Sequence, residues 1–257
     1  MPRVRPILFS GPMVRALLDG RKTQTRRILK PQPPKDELGY EVIGTVRGPE
    51  WYHPAVVGKD GELEPGKQVW GVYDDWGEWG ARVLYMPGDL LWVREKAYYG
   101  PNRIAYAADN VPIGGRDRVE GWGPARSSIH MPRRASRITL EVTAVRVQRL
   151  REISWKDAEA EGCRGCLGPN PDFPDEWDPT PIEEFRDLWN ALNAKPKPIY
   201  SEGRIVSYVS YPWDGEPRVE TYRGLPHEIR PNPFVIATTF VVHQMNIDEF
   251  LAQREAA

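Results

Sequence analysis

The chain has little cysteine, only Cys163 and Cys166 in 257 residues. Two thiols in a chain this long do not make the disulfide framework of a small secreted domain. Long apolar runs are missing too. Stretches such as Phe234–Val242 fall far short of the roughly 20 residues needed to cross a bilayer as a helix. The segment MPRVRPILFSG has basic residues but no extended apolar stretch ending in a small-residue cleavage site. A soluble protein of the cytoplasm, without a membrane partner, is expected. Histidine is sparse, and His53, His130, His227 and His243 are scattered. With no second CxxC, the four ligands of a structural zinc are not at hand, and Cys163-x-x-Cys166 reads as two ordinary thiols. No metal or other cofactor is expected. Excess charge of one sign is also absent. The net charge of −1 argues against a generic polyanion binder.

What is present is a 40% apolar composition with ten tryptophans, enough to bury a real core. The charges that cancel overall are unevenly placed. Between Met1 and Lys30 eight Arg/Lys face one acid, Asp19, and a second basic stretch runs from Arg126 through Arg133, Arg134 and Arg137 to Arg151. The segment Asp172–Asp187 is acidic in return. Local basic patches in a neutral chain suit a phosphate-bearing ligand, although a solvated face gives the same pattern.

Arg5–Phe9 is a strand candidate leading into Ser10-Gly11-Pro12, a helix start with proline in the first turn. Met13, Val14, Leu17 and Leu18 form a helical stripe, and Gly20 stands where a helix takes a left-handed terminal residue. Residues 30–87 read as a β-rich excursion, with alternation at Tyr40–Val46 and Gln68–Tyr73. Its tryptophans Trp51, Trp70, Trp76 and Trp79, with Trp122 further on, suit either stacking on bases or anchoring loops. Pro87-Gly88-Asp89 turns into a strand at Leu90–Lys96, with Ile104–Ala108 its expected partner. Arg137–Leu150 alternates, but its apolar phase switches near Thr143-Ala144, which predicts a bulge. Ser154 and Thr180 open helices with capping-box spacing. The second helix carries Phe185, Leu188, Trp189 and Leu192 on one face, which reads as core. Arg204–Tyr211 and Arg218–Tyr222 are expected to form a hairpin across Trp213-Asp214-Gly215, Phe234–His243 is a closing strand, and Asn246 caps a last helix.

The most telling stretch is GRKTQTRRIL, with the spacing Gly20-x-Lys22-x-x-Thr25-x-Arg27. An amine, a hydroxyl and a guanidinium just beyond a glycine turn make a compact kit for holding a polar planar ligand. Lys22 and Thr25 share a face if this segment is a helical turn and oppose each other if it is a strand.

A helix ending in GxKxxTxR, a PGD turn into a strand, a long bent strand, a helix carrying Ala158-Glu159-Ala160-Glu161-Gly162 and a closing strand together resemble the ASCH domain. This is the activating signal cointegrator homology family of the PUA-like superfamily. ILFSGPMVRALLDGRKTQTRRIL, GDLLWVREKAYY, SIHMPRRASRITLEVTAVRVQRL and DAEAEG resemble the long members encoded by phages and prophages, for which the compartment is the host cytoplasm. The likeness covers roughly residues 5–30, 87–162 and 180–242. Segments 31–86 and 195–230 are insertions without counterpart in the minimal domain. The resemblance implies an α+β fold: a single domain over 1–257, with a small PUA-like β-barrel, flanking helices and inserted β-hairpins. It implies a cleft under the motif that takes RNA or modified nucleobases. The small bacterial members are amidohydrolases that remove the acyl group from N4-acetylcytidine. In them the motif Lys and Thr work with a Glu, matched here by Glu161.

The residues suit that chemistry. Thr25 is a nucleophile only if it is deprotonated as it attacks. Lys22 serves as base only if burial or nearby cations, with Arg21, Arg26 and Arg27 as candidates, pull its pKa toward neutrality. Glu161 can protonate the leaving nitrogen or orient Lys22. Arg27 can hold a phosphate, a carboxylate or a base carbonyl by paired hydrogen bonds. Arg21, Arg26, Glu95, His130 and Arg133 complete the candidate substrate-binding set. A scaffold role competes, in which Lys22 and Arg27 pair with Glu161 and Glu95. Two functions stand side by side. One is hydrolysis of an N4-acylated cytosine or cytidine. The other is a module binding RNA, DNA or single-stranded nucleic acid, as a modified-base reader or ribonuclease without amidohydrolase activity.

Overall fold

Alternating apolar strands that share one buried face must stack into a sheet, and five of them do so here. In a computed structural model, which describes residues 2–35, 41–109, 122–165 and 179–256, the chain opens with β1 (Val4–Leu8), α1 (Gly11–Leu18) and β2 (Gln24–Ile28). The segment expected to be inserted, 31–86, contributes β3 (Val46–Tyr52), β4 (Ala55–Val57), β5 (Leu63–Pro65), β6 (Val69–Asp74) and β7 (Gly80–Arg82). The chain then forms β8 (Leu90–Arg94), β9 (Ala97–Tyr99), β10 (Ile104–Tyr106) and the long β11 (Thr139–Arg149). Two helices follow, α2 (Trp155–Ala160) and α3 (Pro181–Asn193). The other segment expected to be inserted, 195–230, holds β12 (Lys197–Ser201), β13 (Arg204–Ser210), β14 (Arg218–Tyr222) and β15 (Leu225–Ile229), before β16 (Phe234–His243) and α4 (Ile247–Ala256).

The main sheet has the order β1-β8-β11-β16-β2. β1 and β8 run parallel, and the other neighbours are antiparallel. Among the described residues no ladder joins the edge strands β1 and β2, so the class is α+β with an unclosed central sheet. The register of β11 on β16 shifts between Val142 and Ala144, at the switch of apolar phase. The extra residue lets Val145 contact both the cluster around Leu140 and Val142 and the cluster around Trp79 and Phe234. The first cluster seats α1 through Val14 and Leu17 against Ile7, Leu91, Ile138 and Phe240. The last helix, α4, is seated through Ile247 and Phe250 against Leu90 and Trp92. No helix among the described residues is long and apolar enough to cross a membrane.

The structure corrects three sequence expectations. β10 pairs with β9, not with the 90–96 strand, because the chain breaks its pairing after Arg94 and turns back only across Tyr99. The hairpin expected across Trp213-Asp214-Gly215 does not form. β13 pairs with β12, β14 pairs with β15, and β13 and β15 lie parallel between them, so those residues form a connection and not a hairpin turn. The alternation at Tyr40–Val46 produces a strand only from Val46 onward, with Tyr40 itself outside the described residues. The tryptophans divide. Trp79 is buried and stacks on Phe234, and Trp70 donates its indole N–H to the Tyr85 carbonyl at 2.9 Å, so both anchor the 31–86 segment. Trp51 and Trp76 are exposed, and Trp122 lies against Arg103.

Leu140 is fully buried where α1 meets the sheet. Leu140→Ala is expected to lower the unfolding free energy by about 3 kcal/mol, with the urea midpoint falling and the slope unchanged. A midpoint equal to that of the parent chain would contradict this placement of the core.

Candidate active site

α1 ends at Leu18, and Gly20, at φ +72°, reverses the chain as the stripe-then-glycine pattern predicts. The amides of Arg21 and Lys22 both donate to the Ala16 carbonyl, at 2.9 Å each, which folds the motif back under the helix. Lys22 therefore enters the interior before β2 begins and is completely buried. Its Nζ donates to Glu161 Oε2 at 2.7 Å and to the Glu161 carbonyl at 2.8 Å, and lies 5.6 Å from the centre of the Phe9 ring.

Glu161 is delivered by α2, a helix of six residues whose start is fixed by a reciprocal capping box between Ser154 and Asp157. Gly162, at φ +96°, follows it, and a Cβ there would come within 2.9 Å of the Ala16 methyl. The end of α2 thus presses against the end of α1. The Thr23 amide donates to the Ala160 carbonyl at 2.8 Å and the Arg21 guanidinium to the Gly162 carbonyl at 2.7 Å.

From Gln24 the motif is a strand, so Lys22 precedes the strand and Thr25 stands within it, opposite Thr238. Arg26 is buried, 3.2 Å from Glu161 Oε1 and 3.0 Å from Asp157 Oδ2. Burial depresses the Arg26 pKa below the ordinary arginine value, against the opposing pull of Glu161 and Asp157. Burial alone would raise the Asp157 carboxyl. The hydrogen bond from Arg146, the charge of Arg26 and the donors of Ser154 outweigh it and hold that pKa below the usual value. Cys163, buried beside the pair, has its thiol pushed up to about 12 by burial and then by Glu184 and Glu161, so it is inert. Cys166 lies outside the described residues.

Thr25 and Arg26 line a cleft of about 590 Å³ between the end of β1, β2 and the end of α3. Phe9, Ile28, Trp189 and Leu192 give it apolar surface, and Ser10 and Ser128 add hydroxyls. Arg27, exposed, spans the cleft to donate to the Leu8 carbonyl at 2.9 Å.

Of the residues expected at the site, Lys22 and Arg26 are ion-paired with Glu161, and Thr25, Arg26 and Arg27 line the cleft, so Arg26 is common to both groups. The others join neither group. Arg21 turns to Asp19 and the Gly162 carbonyl, and Arg27 to Leu8, so only Arg26 shares Glu161 with Lys22. The expected ring of three arginines around Lys22 is absent, and its ion-pair partner is a carboxylate. Glu95 does not reach Arg27. Both its oxygens accept from Arg137, at 2.8 and 3.0 Å, and Arg137 also grips Asp109. Arg133 pairs with Asp248 on α4 at 2.6 Å, and exposed His130 is not among the cleft residues. Glu95 and Arg133 depart for one cause, that each has a closer partner distant in sequence. Sequence reasoning missed Lys30, Asn193 and Lys197, which also line the cleft. Lys30 had a signal, since it ends the basic run of the motif. Trp189, read as core, is core and cleft wall together.

No family model, curated protein or solved structure matches this chain.

The depressed Asp157 pKa has a signed consequence. Its stabilising contribution is complete above the unfolded-state value near 3.9 and is lost as pH falls through the lower folded-state value. Asp157→Asn should therefore flatten the acid limb of a stability-against-pH curve below about pH 4. Parallel acid limbs for parent and variant would refute the assignment.

Proposed function

We propose that this chain is a PUA-like, ASCH-type protein that binds a nucleobase or nucleoside and removes the acyl group from the exocyclic nitrogen of an N4-acylated cytosine or cytidine. The observation that carries the reading is a wholly buried Lys22 held at 2.7 Å by Glu161, with Thr25 three residues on in the wall of a cleft. A structural ion pair needs no hydroxyl on a cleft wall, and a binding cleft needs no buried lysine beside it.

In a water-poor setting the pair rests as ammonium and carboxylate or, after a proton moves along the 2.7 Å hydrogen bond, as amine and carboxylic acid. The Lys22 amine then takes the proton of the Thr25 hydroxyl as its oxygen adds to the acyl carbonyl. Collapse of the tetrahedral adduct breaks the bond to N4, and the leaving nitrogen takes its proton from the Glu161 carboxylic acid. An acyl ester on Thr25 remains. Water, deprotonated by the same pair, cleaves it, releasing a carboxylic acid and restoring the hydroxyl. Arg26 bonds the carboxylate form of Glu161 and so keeps that carboxyl a ready donor after transfer.

The alternative, a nucleic-acid module reading through the second basic stretch, has less support because Arg133, Arg137, Arg146 and Arg149 have carboxylate partners, which leaves Arg126 and Arg134 without one among the described residues.

The test is chromatographic conversion of N4-acetylcytidine by the full chain. Thr25→Val, which keeps the shape and removes the hydroxyl, should fall to the background rate, and Thr25→Ser should retain turnover. Lys22→Ala leaves a buried carboxylate without its partner and is expected to lose about 3 kcal/mol or more of stability, so it serves only with a folding control. Absence of conversion by the parent chain, or normal turnover by Thr25→Val, overturns the reading.

A further inference from the structure

We infer that the ligand of this cleft carries a phosphate, seated among Arg27, Lys30 and Lys197, and is therefore a nucleotide or a nucleic-acid strand in preference to a free base or nucleoside. The inference rests on the nucleoside reading above and goes beyond it. The deacylation itself asks nothing of a phosphate.

The first argument is charge. The chain holds 35 Lys+Arg and 36 Asp+Glu, so an average patch is balanced. Fourteen residues line the cleft, and four are cations while none is an acid. Several arginines elsewhere have carboxylate partners: Arg3 with Asp89, Arg137 with Glu95, Arg146 with Asp157, Arg230 with Glu228. Within the cleft, Arg26 is matched by Glu161 and Asp157. Arg27, Lys30 and Lys197 have no carboxylate partner among the described residues.

The second argument is placement. Lys197 is held at the cleft by donating to Asn193 Oδ1 at 2.9 Å, and the Asn193 carbonyl in turn accepts from the Tyr211 amide at 2.9 Å. Burial and then the neighbouring Lys30 charge depress the Lys197 pKa, so two ammonium groups are kept close enough to repel. An anion between them removes that repulsion. Arg27 spends one donor on the Leu8 carbonyl and keeps a planar fork for a multi-oxygen anion. Beside these cations, Phe9 and Trp189 offer the apolar surface a pyrimidine ring covers. Lys197 comes from the segment expected to be inserted, 195–230, so the preference belongs to this elaborated chain and not to a minimal domain.

The experiment is calorimetric titration of the full chain, at about 50 mM salt, with cytidine, cytidine 5′-monophosphate and a cytidylate hexamer. The monophosphate is expected to bind about tenfold tighter than cytidine or more. The double variant Lys30→Ala/Lys197→Ala should cut that ratio about tenfold, with its fold checked by circular dichroism. Lys30 is exposed and Lys197 is half-buried at the rim, so the core is untouched. A hexamer that binds tighter than the monophosphate, with a steep salt dependence, assigns the phosphate to a strand. Equal binding assigns it to a nucleotide. Equal affinity for cytidine and its monophosphate, no binding of either, or a ratio indifferent to the double variant overturns the inference. Failure of deacylation with the phosphate preference intact defeats only the proposed reaction. Deacylation without that preference defeats only the phosphate site.

Discussion

The Lys22–Glu161 ion pair is the contact on which the rest of the site depends. Removing two ions from water costs several kcal/mol each, and only close geometry with further hydrogen bonds recovers it. Here the ammonium is held twice by one residue, at 2.7 and 2.8 Å, and the carboxylate is held again by Arg26. The pair ties the end of α1, the start of β2 and the end of α2 into one joint. A helix of six residues has too few internal hydrogen bonds to persist alone, so α2 exists because of this joint. Gly162 is the steric condition for it, since any side chain there would hold the two helix ends apart.

The cations of this protein fall into two kinds. Several of the second basic stretch are engaged within the fold, with Arg137 locking Glu95 and Asp109, and Arg149 bridging to Glu41. They look like a polyanion surface in the sequence because their partners are remote: Glu95 lies 42 residues from Arg137, and Glu41 lies 108 residues from Arg149. Three cations of the cleft, Arg27 and Lys30 from one segment and Lys197 from another, converge without carboxylate partners among the described residues. A run of like charge along a sequence and a concentration of like charge in space are different things, and only the second bears on ligands.

What was legible in the sequence was whatever local physics decides. The glycine after α1, the capping boxes of Ser154 and Thr180, and the bulge near Thr143 each involve residues a few positions apart, and each is in place. The contact of Lys22 with Glu161, 139 residues away, was implied only by resemblance. Strand partnership was not legible. Nothing between Arg204 and Tyr222 says that β15, further along the chain, will lie between the two strands flanking Trp213. Nor could the sequence say that Glu95 would be taken by Arg137, because bidentate pairing depends on distances that only the finished sheet sets.

The seam between β1 and β2 has a further meaning. An open sheet leaves two rows of main-chain groups that a second molecule can extend, the usual route to edge-to-edge aggregation. In this chain the end of one edge strand and the flank of the other face the same cleft, where Arg27 already occupies the Leu8 carbonyl. The cleft thus lies where the Leu8 end of β1 and the Arg27 stretch of β2 both present main-chain groups, and the Arg27 guanidinium blocks one of them, so loss of that side chain frees a carbonyl with which another copy of the chain could pair.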